Sequence, residues 1–339
     1  MPSAANPAVV LRRLPVLAAL CGAAAAVSSL LAPTAIAAPS ASAGPKSMVA
    51  LGDSYASGPL IPVETEQPWG CLRSSNNYAH QVASELGLAL TDVTCSGAST
   101  HHMWDPHGVS PDEQFAQYGS DNGYTGPGAN PPQLDALRAD TDIVTLQIGG
   151  NDIGFLGLAE TCAQGAISGP GCRQAVEAED PFGRIAETAP KIAAVLNEIH
   201  VRSPKAKVYV LGYSSIFKFG DDPSCPAMGV GKDDAIYLRS VQEGLNGMIE
   251  SVADDAAQTY SDAASYVDVY TPSEGHTACD LPVVRWLEPI VPVNAAAPIH
   301  PNLGGMTAIR DILVDRVWPH GLSRRDAPPS LPAPPTSPI

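Results

Sequence analysis

Four short blocks have residue types and an order that could carry acyl transfer: Gly52-Asp53-Ser54, Ser96-Gly97, Gly149-Gly150-Asn151-Asp152 and His300. A serine hydroxyl is a weak nucleophile until a neighbouring base takes its proton, and histidine is the usual base near neutral pH. The tetrahedral intermediate that follows needs donors aimed at its oxyanion. The Ser54 N–H, the Gly97 N–H and the Asn151 side-chain amide could supply them, and Gly149 and Gly150 let the backbone bring Asn151 close. Each block alone has a plainer meaning. Gly-Asp-Ser can be a simple strand-to-helix cap, and Gly-Gly-Asn an ordinary turn.

The elements that would position these blocks are legible in the apolar pattern. Strand-like runs fall at Met48–Leu51, Asp92–Cys95, Ile143–Ile148, Lys207–Leu211 and Tyr266–Val269. Helical length or spacing marks Tyr78–Leu88, Gln133–Ala139, Phe182–Val201, Asp233–Tyr260 and Gly304–Val317, with Ile185, Ile192, Val195, Leu196 and Ile199 on one face. Strands alternating with helices predict a parallel sheet covered on both sides. The expected fold is α/β, a three-layer α/β/α sandwich on a flavodoxin-like five-stranded sheet of order 2-1-3-4-5. In open sheets of this kind ligands bind beyond the carboxyl ends of the strands. All four blocks leave strands or precede the last helix on that edge.

The N-terminus reads as an export leader. Arg12 and Arg13 precede an apolar run from Leu14 to Leu31, and Ala35-Ile36-Ala37 has a small-x-small cleavage pattern. The expected organisation is a leader over 1–37, a short segment 38–46, a catalytic domain 47–319 and a Pro-rich tail 320–339. No other stretch approaches the roughly 20 apolar residues that span a bilayer, so no permanent membrane anchor is expected. Without the leader the 19 basic residues fall to 17 against 35 acidic ones, a net charge near −18. That charge argues against nucleic acid or anionic membranes as partners. The expected state is a secreted monomer. The Gly-, Pro- and Asn-bearing segment Trp104–Pro132 reads as a long lid-like loop.

Six cysteines remain after the leader, an even number that suits an exported chain. The count leaves connectivity open. Sequential pairing is expected, Cys71–Cys95, Cys162–Cys172 and Cys225–Cys279, the second favoured by its short Gly/Pro-rich loop. No Cys-x-x-Cys supports zinc. His101, His102 and His107 lie near Asp105, but their spacing fits no strong ligand motif. Neither metal nor cofactor is expected. No Gly-x-Ser-x-Gly elbow and no Gly-x-Gly-x-x-Gly after the first strand are present, against an α/β-hydrolase elbow and a dinucleotide site.

On these blocks the chain resembles the SGNH (GDSL-type) hydrolases, and more narrowly the secreted lipases and esterases of streptomycetes and related actinobacteria. Supporting stretches are Gly70-Cys71-Leu72-Arg73-Ser74, Thr94-Cys95-Ser96-Gly97-Ala98, Arg285-Trp286-Leu287-Glu288-Pro289 and Ile299-His300-Pro301-Asn302, and the resemblance spans roughly 47–317. It implies a flavodoxin-like sheet, three disulfides, no metal, Ser54 as nucleophile, Gly97 and Asn151 as oxyanion donors and His300 as base. The substrate it implies is a carboxylic ester such as an acylglycerol. Phospholipase and carbohydrate deacetylase activities, or a non-catalytic surface-binding role, stay open.

One departure matters. Many members place an aspartate three residues before the histidine, where this chain has Ala297. The carbonyl of Ala297 or of Pro298 could orient the imidazole instead, with Glu288 or Asp280 as more distant alternatives. His276 is a secondary candidate for the base. Asp53 is expected to orient the serine turn and Asp152 to start the next helix. Trp104, Phe115, Phe155, Leu156 and Phe217 could line an acyl channel or serve as packing.

Overall fold

The computed structural model describes residues 46–64, 69–107, 130–168, 172–261 and 263–317. The leader, Phe115 with most of the 104–132 loop, and the Pro-rich tail lie outside the described residues. Five parallel strands, β1 (Ser47–Gly52), β2 (Ala89–Asp92), β3 (Ile143–Gln147), β4 (Lys207–Leu211) and β5 (Ala264–Val267), form one sheet of order β2-β1-β3-β4-β5. This is the flavodoxin-like order expected. The helices are α1 (Ser54–Ser57), α2 (Tyr78–Leu86), α3 (Phe155–Ser168), α4 (Arg173–Ala178), α5 (Pro181–Arg202), α6 (Lys232–Thr259) and α7 (Leu303–Val317).

The strand period of two sorts side chains into two cores. Val49, Leu51, Val144, Leu146, Val208 and Val210 face one way, against Ile192, Val195 and Ile199 of α5 and Leu238, Leu245 and Ile249 of α6. Met48, Ala50, Ile143, Leu211 and Val267 face the other, against Tyr78 and Val82 of α2 and Met306, Ile309 and Leu313 of α7. Three layers follow. Among the described residues no helix is long and apolar enough to cross a membrane.

Several boundaries differ from expectation. Gly87, in the left-handed region at φ 63°, ends α2 two residues early, and β2 then starts at Ala89 rather than at Asp92. The parallel ladder nevertheless runs on, since Val93 N donates to Ala50 O and Cys95 N to Gly52 O, both at 3.0 Å. β5 is displaced two residues toward the N-terminus because the Asp268 carboxylate accepts the N–H groups of Tyr270 and Thr271 and turns the chain. The segment 133–139 is a single 3-10 turn, Gln133–Ala136, too short to sustain a helix. Its Gln133 instead clamps β1, accepting from Gly52 N at 2.8 Å and donating to Gly52 O at 2.9 Å. The cysteines pair as Cys71–Cys95, Cys162–Cys172 and Cys225–Cys279.

Candidate active site

The Ser54 turn grows directly out of the strand ends. Gly52 ends β1 where a Cβ would lie 2.6 Å from the Gln147 carbonyl oxygen, so no other residue fits. Asp53 N donates to that same oxygen at 3.0 Å. The Asp53 carboxylate caps α1, taking the Tyr55 N–H at 2.9 Å. Ser54 is thereby the first residue of a one-turn helix at the carboxyl edge of the sheet, and the residue is 9% exposed.

The His300 loop is built differently, from side-chain hydrogen bonds. Glu288 is fully buried, and its carboxylate accepts from Val293 N, Asn294 N, Asn294 Nδ2 and Asn302 Nδ2 at 2.7–3.1 Å. Its backbone pairs with the histidine segment, Glu288 N donating to His300 O and Ile299 N to Glu288 O. Ile299 sits at φ 62°, a region that a β-branched residue enters only under strain. The Tyr55 hydroxyl holds that residue's carbonyl at 2.7 Å.

These two constructions bring the hydroxyl and the imidazole together. His300 Nε2 lies 2.7 Å from Ser54 Oγ across 246 residues of sequence, and Nδ1 lies 2.6 Å from the Pro298 carbonyl oxygen. With Nδ1–H donating to that carbonyl, Nε2 is left as an acceptor for the serine proton. The Ala297 carbonyl is taken by the His300 backbone N–H instead. Glu288 is committed to its amides and Asp280 to Thr277, so neither meets the imidazole. Burial pushes the His300 imidazole down to about 4, partly offset by the Pro298 carbonyl, so the ring is neutral at neutral pH.

A pocket opens beside this pair. Tyr55, Phe155, Leu156, Leu245 and Ile299 give it apolar walls, and Ser54, Asn151 and His300 give it polar ones. Asn151 donates one amide proton to Ala98 O at 2.8 Å, which leaves its second N–H for another acceptor. Among the described residues neither the Ser54 N–H nor the Gly97 N–H has a protein acceptor. The arrangement can activate a hydroxyl, receive an apolar chain and offer amide protons to a developing anion.

Two tyrosines that sequence reasoning missed join the parts. Tyr213 donates to Asp53 Oδ2 at 2.6 Å and accepts the Gly150 N–H at 2.9 Å, so one hydroxyl ties the serine turn to the Gly-Gly-Asn turn. A Cβ on Gly150 would press on that ring at 3.2 Å. The Tyr55 ring packs edge-on against Tyr213 at 5.1 Å and lies tilted against His300 at 5.2 Å. Burial pushes the Asp53 carboxyl up to about 7, against the two donors from Tyr213 and Tyr55. No local motif announces either tyrosine, since Tyr213 is 160 residues from the carboxylate it holds.

Other expectations resolve elsewhere. Asp152 does not start a helix; its carboxylate accepts the Thr100 N–H and hydroxyl, at 2.9 and 2.5 Å. His276 stacks on Trp286 with ring centroids 4.5 Å apart and its Nδ1 meets Val284 O, away from Ser54. Phe217 is core, and Trp104 borders a separate depression with Asn151 and Asp152. Among the described residues no group of His, Cys, Asp and Glu is arranged to hold a metal.

A doubly wound parallel sheet with a hydroxyl–imidazole contact at the carboxyl ends of its strands is the architecture of an α/β hydrolytic enzyme. Residues 50–308 match the GDSL-like Lipase/Acylhydrolase family, and the chain belongs to that family; it is a carboxylic ester hydrolase. It is 36% identical over 276 residues to Lipase 2 of Streptomyces coelicolor, covering 79% of this chain and 84% of that one. The crystal structure of an extracellular lipase from Streptomyces rimosus superposes with a TM-score of 0.60 at 26% identity, covering 80% of this chain and 99% of the other. Phospholipase A1 from Streptomyces albidoflavus shares the fold with a TM-score of 0.58 at 22% identity, over 81% and 99% of the two chains.

Proposed function

We propose that the protein is a secreted, monomeric serine esterase or lipase that cleaves carboxylic esters through an acyl-enzyme on Ser54. His300 takes the Ser54 proton as Oγ attacks the ester carbonyl. The carbonyl oxygen becomes an oxyanion held by Ser54 N–H, Gly97 N–H and the free Asn151 N–H. Collapse expels the alcohol with the proton returned by His300, and water then repeats the sequence to free the acid. The Pro298 carbonyl holds the imidazole in the tautomer that accepts at Nε2. The observation that carries this reading is the 2.7 Å contact between His300 Nε2 and Ser54 Oγ.

The apolar pocket walls favour an acyl chain longer than acetyl, which supports acyl-ester cleavage over deacetylation of a carbohydrate. The three disulfides and the leader-like first 37 residues support export. Hydrolysis of a chromogenic acyl ester by the unaltered protein and by Ser54→Ala is the test. Activity retained in the variant would overturn the assignment.

A further inference from the structure

Segment 281–304 carries His300, yet most of its surface serves neither the catalytic pocket nor the core. Lys, Arg, Asp and Glu make up 16% of the chain. In this segment the only such residues are Arg285 and Glu288, and both are buried. What the segment exposes is aliphatic: Val283 at 89%, Val291 at 74%, Leu281 at 70%, Val293 at 68% and Leu303 at 50%. Val63, on the loop after α1, is 68% exposed as well. Pro62, Pro282, Val283, Ala295 and Leu303 line one groove, so the two loops meet.

An isolated exposed aliphatic is ordinary, but an uncharged run of them on two meeting loops marks a surface that is covered in use. Its place in the fold names the occupant. The loop after α1 and the loop before α7 both lie past the carboxyl ends of the strands, on the edge that holds Ser54. Ile299 and His300 line the catalytic pocket, while Asn302 and Leu303, two and three residues on from His300, line the groove. A layer of ester lipid resting on the groove would therefore lie against the segment that bears the imidazole. Charge weighs against the alternatives. The exposed run offers no Lys or Arg to an anionic lipid, and the chain's net charge of −16 opposes both an anionic surface and pairing with a second copy of itself.

We propose that this face adsorbs the enzyme onto an uncharged or zwitterionic lipid surface, from which an acyl chain passes into the apolar pocket beside Ser54. The proposal rests on the serine-esterase reading for its purpose, but binding is measured apart from turnover. The full mature chain carrying Ser54→Ala is co-sedimented with phosphatidylcholine vesicles and with phosphatidylglycerol vesicles. Phosphatidylcholine should retain it, phosphatidylglycerol at least about fivefold less well. Adding Val283→Asp and Val291→Asp should weaken retention by at least about tenfold, because two aliphatic side chains no longer leave water.

In protein with Ser54 intact, the same two substitutions should slow hydrolysis of an emulsified long-chain ester by at least about tenfold and change a soluble short-chain ester by less than about twofold. Thermal melting checks the fold, and Leu281→Asp with Val63→Asp replaces the first pair if that pair unfolds. Absence of vesicle binding, or binding unchanged by both variant pairs, overturns the proposal. So does a dimer that the substitutions split while vesicles bind nothing, which would assign the face to a second copy. Failure of the unaltered protein to cleave even the soluble ester sinks the serine-esterase reading and leaves the adsorption result to stand by itself.

Discussion

The turn bearing Ser54 and the loop bearing His300 solve the same problem by opposite means. Ser54 is held by strand ends: Gly52, Asp53 and Cys95 exchange backbone hydrogen bonds across β1, β2 and β3, with Gln133 as the added clamp. His300 lies in an irregular stretch with no strand or helix from Glu274 to Asn302. A short antiparallel bridge, Leu287 with Pro301, and one buried carboxylate, Glu288, take the place of a strand ladder there. One half of the pair is anchored in the sheet itself, while the other hangs on a short bridge and one buried carboxylate. Substitutions should therefore be far more damaging to the second half, without touching the reacting atoms.

The largest effect is expected at Glu288. Glu288→Ala would leave the donors of Val293, Asn294 and Asn302 without their acceptor and Arg285, 3.8 Å away, without its counter-charge. A loss of about 3–5 kcal/mol in denaturant unfolding is expected, together with most activity. Unchanged stability would show that the loop is held by something else.

Next comes the bridge between the two turns. Tyr213→Phe removes the hydroxyl that Asp53 and Gly150 share, so kcat should fall about 10–100-fold with KM changed by less than about threefold. The Tyr213 donor favours ionised Asp53, which titrates at about 7. Its loss should move the Asp53 carboxyl titration, followed by carbon NMR, to higher pH. Lost activity with an unmoved titration would mean a merely structural role. Tyr55→Phe frees the Ile299 carbonyl and should cost less, about 0.5–1.5 kcal/mol and a few-fold in kcat.

The smallest expected effect is across ordinary pH. With the His300 imidazole lowered from 6.5 to about 4, the neutral base is present at all pH values above that, and kcat/KM should fall only as pH drops through about 4. Stability carries the same sign. The unfolded chain protonates this histidine below 6.5 and the folded one only near 4, so the folded state loses stability as pH falls between those values. A His300 ring titrating near 6.5 by NMR would show an imidazole open to water.

These contrasts also explain what was readable in the sequence. β1, β3 and β4 are buried apolar runs, and the helices facing them repeat at helical spacing, so the sheet and its order were legible. β2 was not, because an edge strand half open to water has a weak pattern at Ala89–Asp92. α3 and α4 escaped as well, lying in Gly-bearing stretches with little regular spacing. At the site, Ser54, Gly97, Asn151 and His300 announce themselves through local motifs. Tyr55, Tyr213 and Glu288 act through contacts made only when distant segments meet, and nothing near them in sequence reveals it. The choice of the Pro298 carbonyl over that of Ala297 depended on the left-handed turn at Ile299, a strain no sequence pattern shows.

The most direct test of the central claim is the pH dependence of fluorophosphonate labelling, with the modified residue located by mass spectrometry. The account predicts a single adduct on Ser54 whose rate of formation rises through about pH 4 and collapses in His300→Asn. An adduct elsewhere, or Ser54 labelling indifferent to His300→Asn, would contradict it.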